Sequence, residues 1–459
     1  MNKLQAGFSR LNINPPMGTP INGYYIHRHV EGILDDLEVV ALALKVEENT
    51  IVMLSIDVCL LSSALCMELR EKIAAATNLP LDAIWLHCTH THTAPQIANT
   101  FDVASLEFPA QQDLLDEYYA FFTRRLVDAA VLAIADTKPA KMGWAVGNAP
   151  KISFVRRFRM KDGSCRTNPG VGNPDILHPI GDVDERVNVL RFDRADDTLV
   201  LVNFGCHPDT VGGSLVSGDW PGFLRRRLEK SLDNVKCIFF NGAQGDVNHV
   251  NVNAKDGDFN DTFHDFDDVD RGYGHARHMG NVVAGAVLQV YDKVNYRDVD
   301  GLRFLTKTAV LPSNMPTPEE LPLARKYNEL HLTGRDNEIP FEGMELTTVV
   351  AEAARMLKLE NGPEAFDLEL YGIALGDISL VGIPGEPFTS IGRGLKEADG
   401  WDLVLPVCQI NGYAGYFPSR NAYDEGGYEA RSSSYKAGVA EKITTEGTGL
   451  LNELRDSAV

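Results

Sequence analysis

A chain of 459 residues has room for one large domain or two to three ordinary ones, and 44% hydrophobic with 23% charged residues is the make-up of a globular protein with a sizeable core. Its 43 basic against 64 acidic residues give a net charge of -21, which argues against nucleic acid and anionic membrane surfaces as partners, because both need a basic footprint. No opening apolar run of signal-peptide length (roughly 7–15 residues) occurs, nor any window of ~18 apolar residues. The seven cysteines are widely spaced without a C-x-x-C pair, so the expectation is free buried thiols in a cytoplasmic protein.

Short apolar runs alternate with amphipathic stretches along the chain. The pattern predicts strands over Glu38–Val46 and Ile51–Cys59, a helix over Ser62–Ala76, a strand over Ala83–Cys88 and a helix over Leu114–Ala135. It then predicts a strand over Leu199–Phe204, a helix over Trp220–Leu232, a strand over Lys236–Phe240 and a helix over Gly274–Tyr291. Helices over Pro318–Leu330 and Leu346–Leu359 follow, then strands over Ile378–Ile383 and Leu403–Val407 and a closing helix over Ser434–Leu454. Thr317-Pro318-Glu319-Glu320 reads as a helix start, and Asp219 as a cap with Pro221 in the first turn. Pro169–Gly181 reads as a loop and the acidic stretch Asp256–Asp270 as a solvated one, with a second cation site as its alternative. No internal repeat is visible. The expected fold is α/β (α+β), with layered mixed β-sheets flanked by helices in a single domain over residues 1–459.

Polar clusters stand directly after several of the apolar strands. His87-Cys88-Thr89-His90-Thr91-His92-Thr93-Ala94-Pro95 follows the strand at 83. On an extended segment, His90 and His92 point to the same side. His207-Pro208 follows Leu199–Phe204, and Gly242-Ala243-Gln244-Gly245-Asp246-Val247-Asn248 follows Lys236–Phe240. There the glycines permit close backbone approach, while Asp246 and Asn248 supply polar contacts. Pro384-Gly385-Glu386 and Tyr413-Ala414-Gly415-Tyr416 follow the last two strands. Each cluster has a plain structural explanation by itself: a satisfied core histidine, a glycine turn, a first-turn glutamate, a packed tyrosine. Their shared placement at strand ends favours a site. Two histidines and a glutamate match the ligand set of an open catalytic zinc site.

In that order the clusters resemble the neutral/alkaline (non-lysosomal) ceramidase family. The likeness covers His90-Thr91-His92, His207-Pro208, Gly245-Asp246-Val247-Asn248, Pro384-Gly385-Glu386 and Tyr413–Tyr416, with Tyr428-Glu429-Ala430-Arg431-Ser432-Ser433 similar to the family's closing stretch. The resemblance implies zinc held by His90, His207, Glu386 and Tyr416. It implies that His92 stands beside the metal or polarises the substrate carbonyl, and that Arg156 or Arg157 lies next to the site. His92, Asn248, Arg156 and Asp246 are the catalytic candidates. Asn248 takes the place of the family's serine, and the signal peptide and C-terminal β-domain of secreted members are expected to be absent.

The expectation is therefore a zinc-dependent hydrolase acting on an amide bond of a small soluble polar substrate rather than ceramide. Alternatives are an esterase, lactonase or sugar-directed hydrolase on the same metal site, a lyase or isomerase, and a non-catalytic binding protein. Arg156, Arg157 and Arg159 would form a basic pocket for an acidic substrate. Homo-oligomerisation stays open.

Overall fold

The computed structural model describes residues 4–97, 112–255 and 262–457. Three sheets dominate, and each repeats one succession of elements. In the first, Leu4–Asn12, Glu38–Val46 and Asn49–Ile56 form an antiparallel meander. Helix Ser63–Thr77 then crosses over to Ile84–Cys88, which returns parallel to Asn49–Ile56, and helix Gln112–Ala135 leads back to the edge pair Lys138–Pro139. In the second, Lys141–Asn148, Arg186–Asp193 and Thr198–Phe204 make the meander, helix Asp219–Ser231 the crossover and Val235–Asn241 the parallel return. Helix Tyr273–Val290 and edge strand Asn295–Arg297 complete it. In the third, Leu302–Pro312, Ala365–Leu375 and Ile378–Gly382 are joined through helix Thr389–Lys396 to the parallel strand Leu403–Val407, followed by helix Val439–Asp456. A parallel return needs such a crossover, whereas a meander needs only turns. The internal repeat missing from the sequence is thus present as topology. Element order recurs three times while residue identities do not.

The inner faces of the three sheets share one core. Val40, Leu42, Leu44 and Trp85 from the first sheet meet Leu190, Phe192 and Phe240 from the second and Ile373, Leu380 and Leu405 from the third. The outer face of each sheet is covered by its own pair of helices. Along Glu38–Val46 the residues alternate, with Val39, Ala41 and Ala43 packed under the helices and Val40, Leu42 and Leu44 in the shared core. Burial on both sides is why this strand reads as an unbroken apolar run.

The carboxyl ends of the three returning strands touch. His87 bridges Ile410, Asn241 N donates to His87 Nε2 at 3.0 Å, and Cys408 N donates to Asn241 O at 3.0 Å. The loops that leave these strands, and the meander strands beside them, converge on one point.

Glu38–Val46 and Leu403–Val407 have the expected bounds. The strand expected over Ile51–Cys59 stops at Ile56. Helix Leu321–Leu332 starts later than Thr317-Pro318 suggested; Thr317 N donates instead to the Glu320 carboxylate at 2.6 Å in a turn before the helix. The last helix begins at Val439 rather than Ser434. Asp219 lies within the first turn, and its carboxylate accepts from Trp220 N and also from Thr210 N and Val211 N. Ile176–Pro179, placed in a loop by its prolines and glycines, pairs with Arg157–Met160. Of the acidic stretch, residues 256–261 lie outside the described residues, while Asp265 and Asp267 pair with Arg271. All seven cysteines are free and buried. Among the described residues no helix is long and apolar enough to cross a membrane.

Candidate metal centre

His90, His207 and Glu386 come from three different loops, and their ligand atoms lie within 4.8 Å of one another. His90 follows the returning strand of the first sheet. His207 and Glu386 follow the third meander strands of the second and third sheets, three and four residues beyond the strand ends. Glu386 Oε2 sits 2.9 Å from His207 Nε2 and 3.4 Å from His90 Nε2. All three side chains are buried.

The two imidazoles are turned by their far nitrogens. His90 Nδ1 is 2.7 Å from Cys59 O, and His207 Nδ1 is 2.9 Å from Gln244 O. A backbone carbonyl requires an N–H there, so both Nε2 atoms are left as bare lone pairs facing the carboxylate. His90 reaches this place by a left-handed turn (φ 72°) just past the strand. This corrects the expectation of an extended segment: His90 and His92 converge, with their Nε2 atoms 3.3 Å apart, because the chain bends and not because of strand alternation.

Glu386 begins a two-residue parallel ladder in which Glu386 is the register partner of Tyr416. Register partners in a parallel pair project to the same side, so the phenol of Tyr416 stands beside the carboxylate, its ring stacked at 6.5 Å from that of His207. Tyr413 donates to Glu386 Oε1 at 3.1 Å. Burial, with Glu386 adding to it, raises the Tyr416 phenol well above its ordinary value, against the opposing pull of Arg156.

Among the described residues Glu386 Oε2 has no hydrogen-bond partner although it is buried. A buried carboxylate oxygen is normally saturated by donors. Zinc–nitrogen and zinc–oxygen bonds of about 2.0–2.2 Å set tetrahedral ligand spacings of roughly 3.3–3.5 Å, close to the separations here. The donor set therefore fits a cation. A second grouping, Cys59 with His90 and His92, shares His90, whose Nδ1 is already committed to Cys59 O.

The remaining sequence candidates fall in different places. Arg156 lies at the edge of the cluster, with Nη1 3.4 Å from His207 Nε2 and its guanidinium 5.3 Å from the Tyr416 ring centre. Its Nε donates to Glu429 at 2.6 Å and its Nη2 to Gly245 O. Arg157 pairs with Glu425 and Glu429, and Arg159 with Glu425. The expected basic pocket is thus corrected, since carboxylates of this chain answer all three charges. Asp246 is likewise drawn away: its carboxylate accepts from Thr389 N at 2.7 Å and Thr389 Oγ1 at 2.8 Å, capping helix Thr389–Lys396. Asn248 is buried next to the Val247 carbonyl that faces His207 Nδ1; its amide donates to Asn168 and its oxygen accepts from Val250 N.

Sequence reasoning missed Cys59, Gln244, Asp209, Arg271, Tyr24 and Arg28, all of which support the histidines. Two of these had a legible signal. Cys59 and Asp209 each stand three to five residues past the end of a buried strand, in the same position class as His207.

No protein-family model and no curated protein matches the chain. Solved structures similar over all of it include two ceramidases. The neutral ceramidase from Pseudomonas aeruginosa has a TM-score of 0.71 at 16% identity, with 76% of that chain covered. A ceramidase complexed with C2 has a TM-score of 0.70 at 16% identity, with 77% covered. At that identity the likeness is one of architecture: this chain has a neutral-ceramidase-like fold.

Proposed function

We propose that the chain is a zinc-dependent hydrolase, with the metal held by His90, His207, Glu386 and Tyr416, that cleaves an amide bond in a small soluble polar substrate. The observation that carries this reading is the buried Glu386 Oε2, left without a hydrogen bond between two bare imidazole nitrogens. When bound, zinc polarises a carbonyl and lowers the pKa of a water to about 7. The chain's own groups do the rest. His92 presents Nε2 at the edge of the ligand cluster, where its lone pair can take a proton from the attacking water and, as the imidazolium, then stabilise negative charge that develops on a carbonyl oxygen. Arg156, anchored by Glu429, keeps a positive charge against Tyr416 and favours its ionised form as a ligand. A polar rather than lipid substrate is supported by the phenols near the cluster: half-buried Tyr413 donates to Glu386 Oε1 at 3.1 Å, and half-buried Tyr25 and Tyr428 lie in electrostatic reach of Glu386 or of one another.

The test is turnover by the zinc-loaded protein of panels of small amides, esters and lactones, glycosides and short-chain ceramides. Amide hydrolysis abolished by chelator is expected. Ready hydrolysis of the ceramides would overturn the substrate reading, and no turnover of any panel by fully loaded protein would overturn the hydrolase reading.

A further inference from the structure

His92 is held unlike the other two imidazoles. Its Nε2 faces His90 Nε2 at 3.3 Å, while its Nδ1 is buried and makes no hydrogen bond among the described residues. The charged group before that nitrogen is Asp209, whose Oδ1 is 3.7 Å away. Asp209 is itself buried and fixed from several directions. Arg271 grips it with two bonds, Nε to Oδ1 at 3.0 Å and Nη2 to Oδ2 at 2.9 Å, and the Tyr24 hydroxyl donates to Oδ1. Arg271 is held in turn by two bonds to Asp267, at 2.6 and 2.9 Å. The Tyr24 ring is near two guanidinium groups, Arg28 at 3.9 Å and Arg271 at 4.6 Å, and its centre is 5.2 Å from that of His92. Arg28 also donates to the His92 carbonyl at 2.8 Å, which pins the backbone of the same residue.

We infer that Asp209 is a positioning residue that fixes the His92 ring with Nδ1–H toward its carboxylate and Nε2 toward the His90–His207–Glu386 cluster. A buried ring nitrogen without a partner is costly, and a small swing of the ring brings it to hydrogen-bond distance from the carboxylate. Hydrogen bonds of this kind are commonly long in unliganded sites and tighten when the site fills. The pinned carboxylate cannot follow the ring, so the ring must come to it. That selects one of the two neutral imidazole forms and aims its lone pair at the cluster. What the oriented Nε2 then does rests on the metal-hydrolase reading; the orientation itself does not.

The experiment reads the ring directly. Histidine-selective ¹⁵N labelling with long-range ¹H–¹⁵N correlation assigns the His92 nitrogens by their loss in His92→Ala. In the unmodified protein Nδ1 is expected to carry the proton. In Asp209→Ala, where Arg271 keeps Asp267, the Nδ1–H signature should weaken into a mixture of both forms while zinc content stays that of the unmodified protein. Asp209→Asn, which keeps the volume, serves if the alanine variant does not fold, and Asp209→Glu should restore at least part of the signature. An unprotonated Nδ1 in the unmodified protein, or an Nδ1–H signature unchanged by the substitution, would overturn the inference. So would loss of zinc from a stably folded Asp209→Ala, because a residue that positions only His92 leaves the ligand set intact. Failure of the unmodified protein to bind zinc would instead count against the proposed function and leave the ring measurement readable.

Discussion

Replacing Glu386 with glutamine keeps the side chain's shape and removes its charge, and so tests the metal reading at the atom on which it rests. Glu386 Oε2 lies 2.9 Å from His207 Nε2 and 3.4 Å from His90 Nε2, buried and without a donor. An amide placed there turns either a weakly coordinating oxygen or an NH₂ group toward the cation. Losing an outer partner of a metal ligand commonly costs 10–100-fold in affinity, so losing the anionic ligand should cost at least about 100-fold. A ligand present at 100 times its Kd stabilises the native state by about 2.7 kcal/mol. Unfolding entropy of about 2.1 cal/mol/K per residue gives roughly 1 kcal/mol/K for a chain of 459 residues. Zinc at that concentration should thus raise the Tm of the unmodified protein by about 3 °C. With affinity reduced 100-fold, the same zinc supplies about 0.4 kcal/mol, or about 0.4 °C. Elemental analysis after gel filtration and thermal melts with zinc or chelator measure both quantities. In chelator Glu386→Gln should match or exceed the unmodified protein, because an incompletely satisfied buried charge has been removed. About one zinc per chain in Glu386→Gln, with a zinc-induced shift of about 3 °C, would refute the reasoning.

His92→Ala should retain zinc and lose about 10²–10³ in turnover of whichever amide the panel identifies, the usual cost of one oxyanion donor; metal loss in elemental analysis would make His92 a ligand instead. Asp246→Ala removes the cap of helix Thr389–Lys396, and should lower stability to urea by about 1–2 kcal/mol with zinc content unchanged. Arg194, joined by Lys236, overcomes burial to draw the Asp197 carboxyl down to about 2. A pKa lowered on folding stabilises above the unfolded value near 4 and is lost as pH falls toward 2. Asp197→Asn should therefore cost about 1–2 kcal/mol at pH 6, after allowance for solvent screening, and nothing near pH 2, as read from urea melts across that range.

How much of this was legible in the sequence follows from how local each signal is. Strands buried on both faces, such as Glu38–Val46 and Leu403–Val407, are continuous apolar runs and can be read one segment at a time. Leu302–Pro312 and Lys141–Asn148 could not be, because the first carries arginine and lysine at partly exposed positions and the second has its apolar run broken by the buried Gly143 and Gly147. They become strands through their neighbours rather than through their own propensity. The threefold recurrence of elements escaped for a similar reason, since topology constrains the order of connections and not the identity of side chains.

For the site, the sequence by itself offered the proposed donors: His90, His207 and Glu386 stand two to four residues beyond a strand and Tyr416 nine, and imidazole, carboxylate and phenol bring fixed chemistry wherever they lie. Only the tertiary structure decided which of them meet and which candidates are otherwise engaged. His90 and Glu386 are nearly 300 positions apart and become neighbours because three strand ends touch. Asp246 leaves the cluster because the N–H of Thr389 needs an acceptor. The three arginines cease to be a basic pocket because Glu425 and Glu429 arrive from the far end of the chain. Asp209 gains its place beside His92 from Arg271 and Tyr24, which flank it by 62 and 185 positions. Long-range pairing of buried charges is set by the need to satisfy each of them once water is gone, and no short window of sequence carries that demand.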